Sequence, residues 1–358
     1  MKSKKKVVLA YSGGLDTSVI LKWLQENYNA EVIAYTADIG QKLDKKKIFR
    51  NAKKLGVKNI IIKNLKDVFV KDYIYPMIRG HALYEGVYLL GTSIARPLIA
   101  KDQIRIAKKF KAYAVSHGST GKGNDQVRFE LTYKALNPKL QIIAPWKDPK
   151  FIEDGLTSRE TAIDYAKKHG IHIDQSKKKI YSRDRNLWHI SHEGAEIEDP
   201  ANEPNWKNCL VMSVPVEKAP NKAQVVEVEF KQGNPVAVDG KKLAGHDLIA
   251  KLNEIGGKHA VGTTVLTENR LVGMKSRGVY ETPGGTILYE AHKALEQLCI
   301  ERDLYHYKLL KSYTSIPINF YTITLFFAID QLLCTYCLFK TPKGKSSEKL
   351  SRKRILQS

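Results

Sequence analysis

The stretch Tyr11-Ser12-Gly13-Gly14-Leu15-Asp16-Thr17-Ser18 decides how this chain is to be read, because it lies between a short apolar strand, Val7 to Ala10, and a helical pattern, Val19 to Leu24. A small-residue turn in that position makes a phosphate cradle. The backbone N–H groups of Ser12 to Asp16 can converge on an anion, and the following helix aims its first N–H groups and positive dipole end at the same spot. Gly13 and Gly14 allow close backbone approach. No Lys ends the loop, so it is not the G-x-x-x-x-G-K-[ST] loop that holds the β- and γ-phosphates in ordinary NTPases. The bland alternative is a strand-to-helix turn that merely needed glycines.

Working outward, a second glycine-rich cluster runs from Ser116 to Glu130 and includes His117-Gly118-Ser119-Thr120-Gly121-Lys122-Gly123-Asn124-Asp125. It follows Tyr113 to Val115, which reads as a buried strand. The cluster therefore emerges at a strand's carboxyl end, where open α/β sheets place their ligands. A merely solvated loop is the alternative, but long connections with this much side-chain chemistry are usually binding loops.

The runs Glu31 to Ala37, Asn59 to Ile62, Tyr113 to Val115 and Gln141 to Ala144 alternate with helical patterns around Lys45 to Leu55 and Ser93 to Lys109. This alternation predicts an α/β fold built on a doubly wound parallel sheet. Thr157-Ser158-Arg159-Glu160 has capping-box spacing, and the helix it opens should end near Lys168-His169, with Gly170 at C′. Gly170 thus bounds a nucleotide-binding domain, residues 1–170. Beyond it Val225 to Phe230 alternates, Gly233-Asn234-Pro235 turns and Val236 to Val238 returns, the pattern of an α+β domain over residues 171–311.

The Ser12–Ser18 loop resembles the SGGxD[ST] pyrophosphate loop of ATP pyrophosphatases, which cleave ATP between its α- and β-phosphates. Ala10 to Ser18 and His117 to Asp125 together resemble the two signatures of the argininosuccinate synthase family. Further matches are Tyr88-Leu89-Leu90-Gly91-Thr92-Ser93, Tyr181-Ser182 with His189-Ile190-Ser191, Glu268-Asn269-Arg270 and Gly278-Val279-Tyr280-Glu281-Thr282-Pro283-Gly284-Gly285-Thr286. The likeness runs from residue 4 to about 311.

The resemblance implies a C–N ligase of arginine biosynthesis and the urea cycle. The ureido oxygen of citrulline attacks the α-phosphorus of ATP, pyrophosphate leaves, and the amino group of aspartate then displaces AMP from citrullyl-AMP. It implies ATP contacts at Ala10, Tyr11, Ser12, Gly13, Gly14, Leu15, Asp16, Thr17, Ser18, Ala37 and Gly118, with Mg²⁺ carried by the nucleotide and no metal site built from side chains. Aspartate falls to Thr120, Asn124 and Asp125. Citrulline falls to Tyr88, Ser93, Asn124, Arg128, Ser182, Ser191, Glu268 and Tyr280. Asp16, Asp125 and Arg128 are the expected catalytic residues: Asp16 orders the loop, helps hold the metal through water or caps the helix, Asp125 orients the amine, and Arg128 grips a carboxylate with two parallel N–H bonds. His117 and His189 receive no catalytic role, since the attacking ureido oxygen has no proton to lose.

Of 358 residues, 43% are apolar and 27% charged, an ordinary globular composition with room for two domains. Lys and Arg number 59 against 37 Asp and Glu, a formal +22. The lysines are spread over Lys45-Lys46-Lys47, Lys53-Lys54 and Lys108-Lys109 without interleaved aromatics, so the charge reads as a solvated surface that attracts small anions. No nucleic-acid or membrane partner is expected. The start leads into an apolar run too short for a signal peptide, and the four cysteines form neither a disulfide framework nor a zinc set, which points to the cytoplasm.

The family continues into a C-terminal helix that packs across a homotetramer, whereas residues 312–358 form a divergent tail, apolar from Ile318 to Phe339 and then basic. A membrane anchor is disfavoured by Asp330 and Gln331 in mid-run. A divergent oligomerisation segment is a better reading, and a shifted reading frame the best. The rival functions are a tRNA-modifying ATP pyrophosphatase, supported by the net charge, and a family member impaired by its tail.

Overall fold

Val7, Val8 and Leu9 are fully buried and place strand β1 (Lys5–Ala10) at the centre of a parallel sheet. The computed structural model describes residues 4–121, 123–171, 181–314 and 352–355. With β2 (Ala30–Asp38), β3 (Asn59–Asn64), β4 (Ala114–Ser116) and β5 (Gln141–Ile143), β1 forms five strands in the order β3-β2-β1-β4-β5, every neighbouring pair parallel. The chain winds one way from β1 to β3 and then crosses to the other side of β1. The order therefore reverses between β1 and β4. This is the doubly wound α/β sheet predicted from the alternation of strands and helices.

The helix Leu15–Asn27 packs on this sheet through Val19, Ile20, Leu21, Trp23 and Leu24, all fully buried. Burying each such side chain contributes roughly 1.5–3 kcal/mol. Trp23 meets Phe151 edge to face with ring centroids 5.1 Å apart, and its Nε1 donates to Asp154 Oδ2 at 2.8 Å, which satisfies its polar edge.

The helix Arg159–Lys168 is capped one residue later than its sequence suggested. Ser158, not Thr157, is the N-cap, and Thr161 completes the box: Ser158 N–H donates to Thr161 Oγ1 at 3.0 Å and Thr161 N–H to Ser158 Oγ at 3.3 Å. Gly170 follows the C-cap His169 with φ +62, the left-handed C′ conformation expected of it.

The chain divides into two compact units. The first comprises the described residues of Met1–Leu65, Ala95–Lys178 and Arg270–Val272, and the second those of Lys66–Ile94, Lys179–Asn269 and Gly273–Ser358. Residues 66–94, which precede Gly170 in sequence, thus belong to the second unit.

The second unit holds β6 (Ser182–Arg185), β7 (Ile190–Glu193), β8 (Val226–Lys231), β9 (Asn234–Val238), β10 (Lys241–Lys242), β11 (Thr263–Asn269), β12 (Lys275–Glu281) and β13 (Arg352–Ile355). They make two antiparallel sheets, β10-β9-β8-β13 and β11-β12-β7-β6. The β8–β9 hairpin turns at Gln232 and Gly233, both at positive φ. Asn234 and Pro235, expected in the turn, instead begin β9. The helix Arg302–Thr314 enters the predicted tail. The apolar run Ile318–Phe339, Cys334, Cys337 and the basic run Lys340–Lys345 lie outside the described residues. Among the described residues no helix is long and apolar enough to cross a membrane.

Candidate active site

Two loops leave the carboxyl ends of β1 and β4, adjacent strands at the point where the sheet order reverses. That is where open α/β sheets leave a crevice for a ligand. The first loop begins at Ala10 and Tyr11. Tyr11 is buried; its N–H donates to Tyr35 O at 2.8 Å, and Thr36 Oγ1 donates to its carbonyl at 2.5 Å. These bonds fix the chain where it turns out of the sheet. Gly13 takes φ +77, and a Cβ there would stand 2.9 Å from Ile48 Cγ1 and 3.2 Å from Ile48 Cα. Only glycine meets both conditions.

Ser12 and Thr17 tie the loop across its mouth. Their hydroxyls lie 3.0 Å apart, Ser12 N–H donates to Thr17 Oγ1 at 3.3 Å, and Gly14 N–H donates to Ser12 Oγ at 3.3 Å. Gly14 is the N-cap of the helix Leu15–Asn27 and gives it no side-chain cap, so the positive end of the helix faces the loop. Leu15 is partly buried, and Asp16, in the first helical turn, is exposed. Ser18 is buried with its hydroxyl 3.1 Å from Tyr11 OH, so it braces the loop from within. Ala37 sits buried near the end of β2, its carbonyl accepting from Gln41 Nε2 at 2.6 Å.

The second loop packs on the first. A Cβ on Gly118 would stand 3.2 Å from Thr17 Cγ2, so a small residue there lets the loops approach. His117 is fully buried and stacks on Phe129 at 5.2 Å, while its Nδ1 accepts from Ser119 N–H at 3.3 Å. Thr120 is exposed. Asn124, in the first turn of the helix Asn124–Leu136, is buried, and its Oδ1 accepts from Leu271 N–H at 2.9 Å.

Asp125 sits between two guanidinium groups. Oδ1 accepts from Arg128 Nη1 at 2.7 Å, and Oδ2 accepts from Arg96 Nε at 2.8 Å and lies 2.7 Å from Arg96 Nη2. Burial opposes ionisation, but the two guanidinium groups outweigh it and hold the carboxyl below the usual carboxylate range. An amine brought to Asp125 therefore shares it with two arginines. Arg128, expected to grip a substrate carboxylate, already spends one of its N–H groups on Asp125.

Arg96 was missed in the sequence. Its only signal is a cation one helical turn after Ser93, in the helix Gly91–Phe110. Asn51 was missed as well: its Nδ2 donates to Gly13 O at 3.2 Å and clips the helix Lys45–Lys54 to the first loop. The exposed side of that helix carries Lys45, Lys46, Arg50, Lys53 and Lys54 together with Phe49, so an aromatic does interrupt this basic run.

Of the eight residues assigned to citrulline, Asn124 and Arg128 are in the first unit and six are in the second. Four of those six ride on one sheet. Ser191 on β7 pairs with Tyr280 on β12 and with Asp184 on β6; Tyr280 also pairs with Thr264 on β11. Side chains alternate along a strand, so Ser182, two residues from Asp184, and Glu268, four from Thr264, share the face of Ser191 and Tyr280. Tyr88 joins them, its ring 4.6 Å from that of Tyr280, and its hydroxyl accepts from Thr92 N–H at 3.0 Å. Ser93 is buried one residue further on. His189 braces this corner: Thr92 Oγ1 lies 2.9 Å from its Nε2, and a Cβ on Gly91 would fall 2.1 Å from its ring. Among the described residues no group of three or more His, Cys, Asp or Glu stands close enough to hold a metal ion.

A glycine-rich strand-to-helix loop at the switch point of a five-stranded parallel sheet puts the first unit in the class of doubly wound α/β domains, which bind their ligands at that point. The family model "Arginosuccinate synthase N-terminal HUP domain" matches residues 6–172, and "Arginosuccinate synthase C-terminal domain" matches residues 181–316. An argininosuccinate synthase of Pelagibacter ubique is 60% identical over 326 residues, covering 90% of this chain and 81% of the relative. That of Carboxydothermus hydrogenoformans is 58% identical over 304 residues, 85% of this chain and 74% of the relative. That of Brachyspira hyodysenteriae is 50% identical over 355 residues, 99% of this chain and 86% of the relative. The chain belongs to the argininosuccinate synthase family.

Proposed function

We propose that this chain joins L-citrulline to L-aspartate, converting ATP to AMP and pyrophosphate by way of citrullyl-AMP. The observation that carries the reading is the pairing of the Ser12–Ser18 loop with the Gly118–Asp125 loop on neighbouring strands at the switch point. One cradles phosphates through backbone N–H groups. The other brings amide, hydroxyl and carboxylate groups of the kind an amino acid needs.

Adenylation turns the ureido oxygen into part of a leaving group, which suits a site that positions and neutralises charge. Ser12, Gly13, Gly14 and Thr17 take the pyrophosphate moiety, with Tyr11 and Ser18 holding the loop's shape; Ala37 meets the adenine and Gly118 admits the nucleotide. Thr120, Asn124 and Asp125 take aspartate. Arg128 shares its guanidinium between Asp125 and the citrulline carboxylate, and Tyr88, Ser93, Ser182, Ser191, Glu268 and Tyr280 complete the citrulline set. The aspartate ammonium must lose a proton before it attacks; Asp125, held ionised by Arg96 and Arg128, is too weak a base for this and orients the amine. A phosphate oxygen or water takes the proton.

Asp16 is the one carboxylate between Tyr11 and Ser18. Such a donor set fits a Mg²⁺ held chiefly by phosphate oxygens, with Asp16 reaching it through water. The ion would neutralise charge on the phosphates. Membership of the family supports cytoplasmic small-molecule chemistry by a homotetramer.

The test is exchange of labelled pyrophosphate into ATP. Exchange that needs citrulline and proceeds without aspartate is expected. Exchange that is absent, or that needs tRNA in place of citrulline, would overturn the reading.

A further inference from the structure

Behind the sheet face that carries Ser182, Ser191 and Tyr280 runs a second polar row, buried at His192 and Glu281 and reaching the surface at Arg183. Glu281 is fully buried, and its carboxylate accepts four hydrogen bonds: from Val211 N–H at 2.9 Å, Met212 N–H at 2.8 Å, Ser213 N–H at 2.6 Å and His192 Nε2 at 2.7 Å. The other ring nitrogen of His192, Nδ1, lies 3.1 Å from Arg183 Nε. Arginine only donates, so Nδ1 accepts and the ring proton sits on Nε2, toward Glu281. Arg183 is anchored in turn, its Nη2 donating to Asn208 O at 2.5 Å. The row thus spans three adjacent strands, Arg183 on β6, His192 on β7 and Glu281 on β12.

Each member of the row immediately follows a residue assigned to citrulline: Arg183 follows Ser182, His192 follows Ser191, and Glu281 follows Tyr280. Successive side chains in a strand point to opposite faces, so the row is the reverse side of the binding face at each of three points. The registers Arg183↔His192 and Ser191↔Tyr280 set the spacing of the three front-side groups. A slip of one residue would turn each of them to the wrong face.

We propose that Arg183, His192 and Glu281 are positioning residues for citrulline: their hydrogen-bonded row locks β6, β7 and β12 in the register that sets the spacing of Ser182, Ser191 and Tyr280. This rests on the assignment of those three residues to citrulline. The row touches no substrate. Its effect falls on citrulline rather than on ATP or aspartate, whose assigned residues are in the first unit.

The experiment is steady-state kinetics of the full chain with each substrate varied in turn. His192→Leu removes both hydrogen bonds of the ring and should raise the citrulline KM tenfold or more, with the KM values for ATP and aspartate within twofold. His192→Gln can accept from Arg183 and donate to Glu281, and should recover most of the loss. Arg183 is exposed, so Arg183→Met tests the row even if His192→Leu does not fold, with an expected threefold or greater rise in citrulline KM. An unchanged citrulline KM in Arg183→Met, or equal changes for all three substrates, overturns the proposal. Tyr280→Phe is the control for the underlying assignment: if it leaves citrulline KM unchanged, the assignment fails, whatever the row does.

Discussion

Arg128 Nη1 donates to Asp125 Oδ1 at 2.7 Å, so the group proposed for the citrulline carboxylate and the group proposed for the aspartate amine hold each other before either substrate arrives. Hydrogen bonds to charged groups contribute about 1.5–3 kcal/mol, more than neutral ones. On those proposed assignments the aspartate and citrulline groups are linked by a direct side-chain contact, one helical turn apart on Asn124–Leu136.

Asp125→Asn should abolish the aspartate-dependent second step while adenylation continues, because the ammonium loses its counter-charge. The coupling adds a second expectation: Arg128 is released, and the citrulline KM rises severalfold. Rapid-quench measurement of citrullyl-AMP across a citrulline titration reads both. Loss of adenylation at saturating citrulline would contradict the orienting role.

Arg128→Lys keeps the charge but loses the planar fork that serves two carboxylates at once. The citrulline KM should rise about tenfold or more, which is the size of one lost charge-assisted bond, with the ATP KM little altered. Initial-rate kinetics decide it, and an unchanged citrulline KM would count against the shared grip.

Gly13→Ala should be costly in two ways. The left-handed conformation at φ +77 costs a non-glycine residue about 1–2 kcal/mol, and the new Cβ meets Ile48 Cγ1 at 2.9 Å. Thermal unfolding should shift down, and ATP binding, followed by calorimetry, should weaken more than citrulline binding. Asn51→Leu should weaken ATP binding with a smaller loss of stability, since it removes only the clip to Gly13 O.

Gly91→Ala places a Cβ 2.1 Å from the His189 ring and should destabilise the second unit and disturb Tyr88 and Ser93. Adding His189→Ala should relieve the clash, so that the double variant is more stable than Gly91→Ala alone. Denaturant midpoints of the two single variants and the double close the cycle. Additive losses would mean that the two residues do not press on one another.

Acid should destabilise the chain in two stages. Burial pushes His81 down to about 4, with Glu296 opposing and Lys308, His292 and Lys293 adding to the shift. The unfolded chain, in which His titrates near ~6.5, then binds more protons than the folded one, so stability falls as pH drops from about 6.5 through 4. Glu130 is the depressed-carboxylate case: burial opposes ionisation, but the polar neighbours His117 and Gln126 and the charge of Lys147 bring it to about 2. Its contribution is present above about 4.5 and lost as pH falls toward 2. Melting temperature against pH should show both slopes, and His81→Gln should flatten only the upper one.

The sequence by itself determined the strand–turn–helix at Tyr11 to Ser18 and the sheet type, since periodicity and glycine placement are local properties. It placed the helix Arg159–Lys168 almost correctly and erred by one residue at its cap, because Thr157 and Ser158 offer the same hydroxyl and only the chain's direction chooses between them. The hairpin was displaced similarly: Gln232 accepts positive φ, which composition does not reveal, and so Pro235 falls in a strand. What only the tertiary structure decided depends on residues distant in sequence. Strand registers bring Ser182, Ser191, Glu268 and Tyr280 to one face and Arg183, His192 and Glu281 to the other. Helix geometry sets Arg128 three residues along from Asp125, but the packing that delivers Arg96 to the same carboxylate leaves no trace in local pattern. Hydrogen bonds across tens of residues are fixed by the fold as a whole, and a one-dimensional pattern encodes only its nearest neighbours.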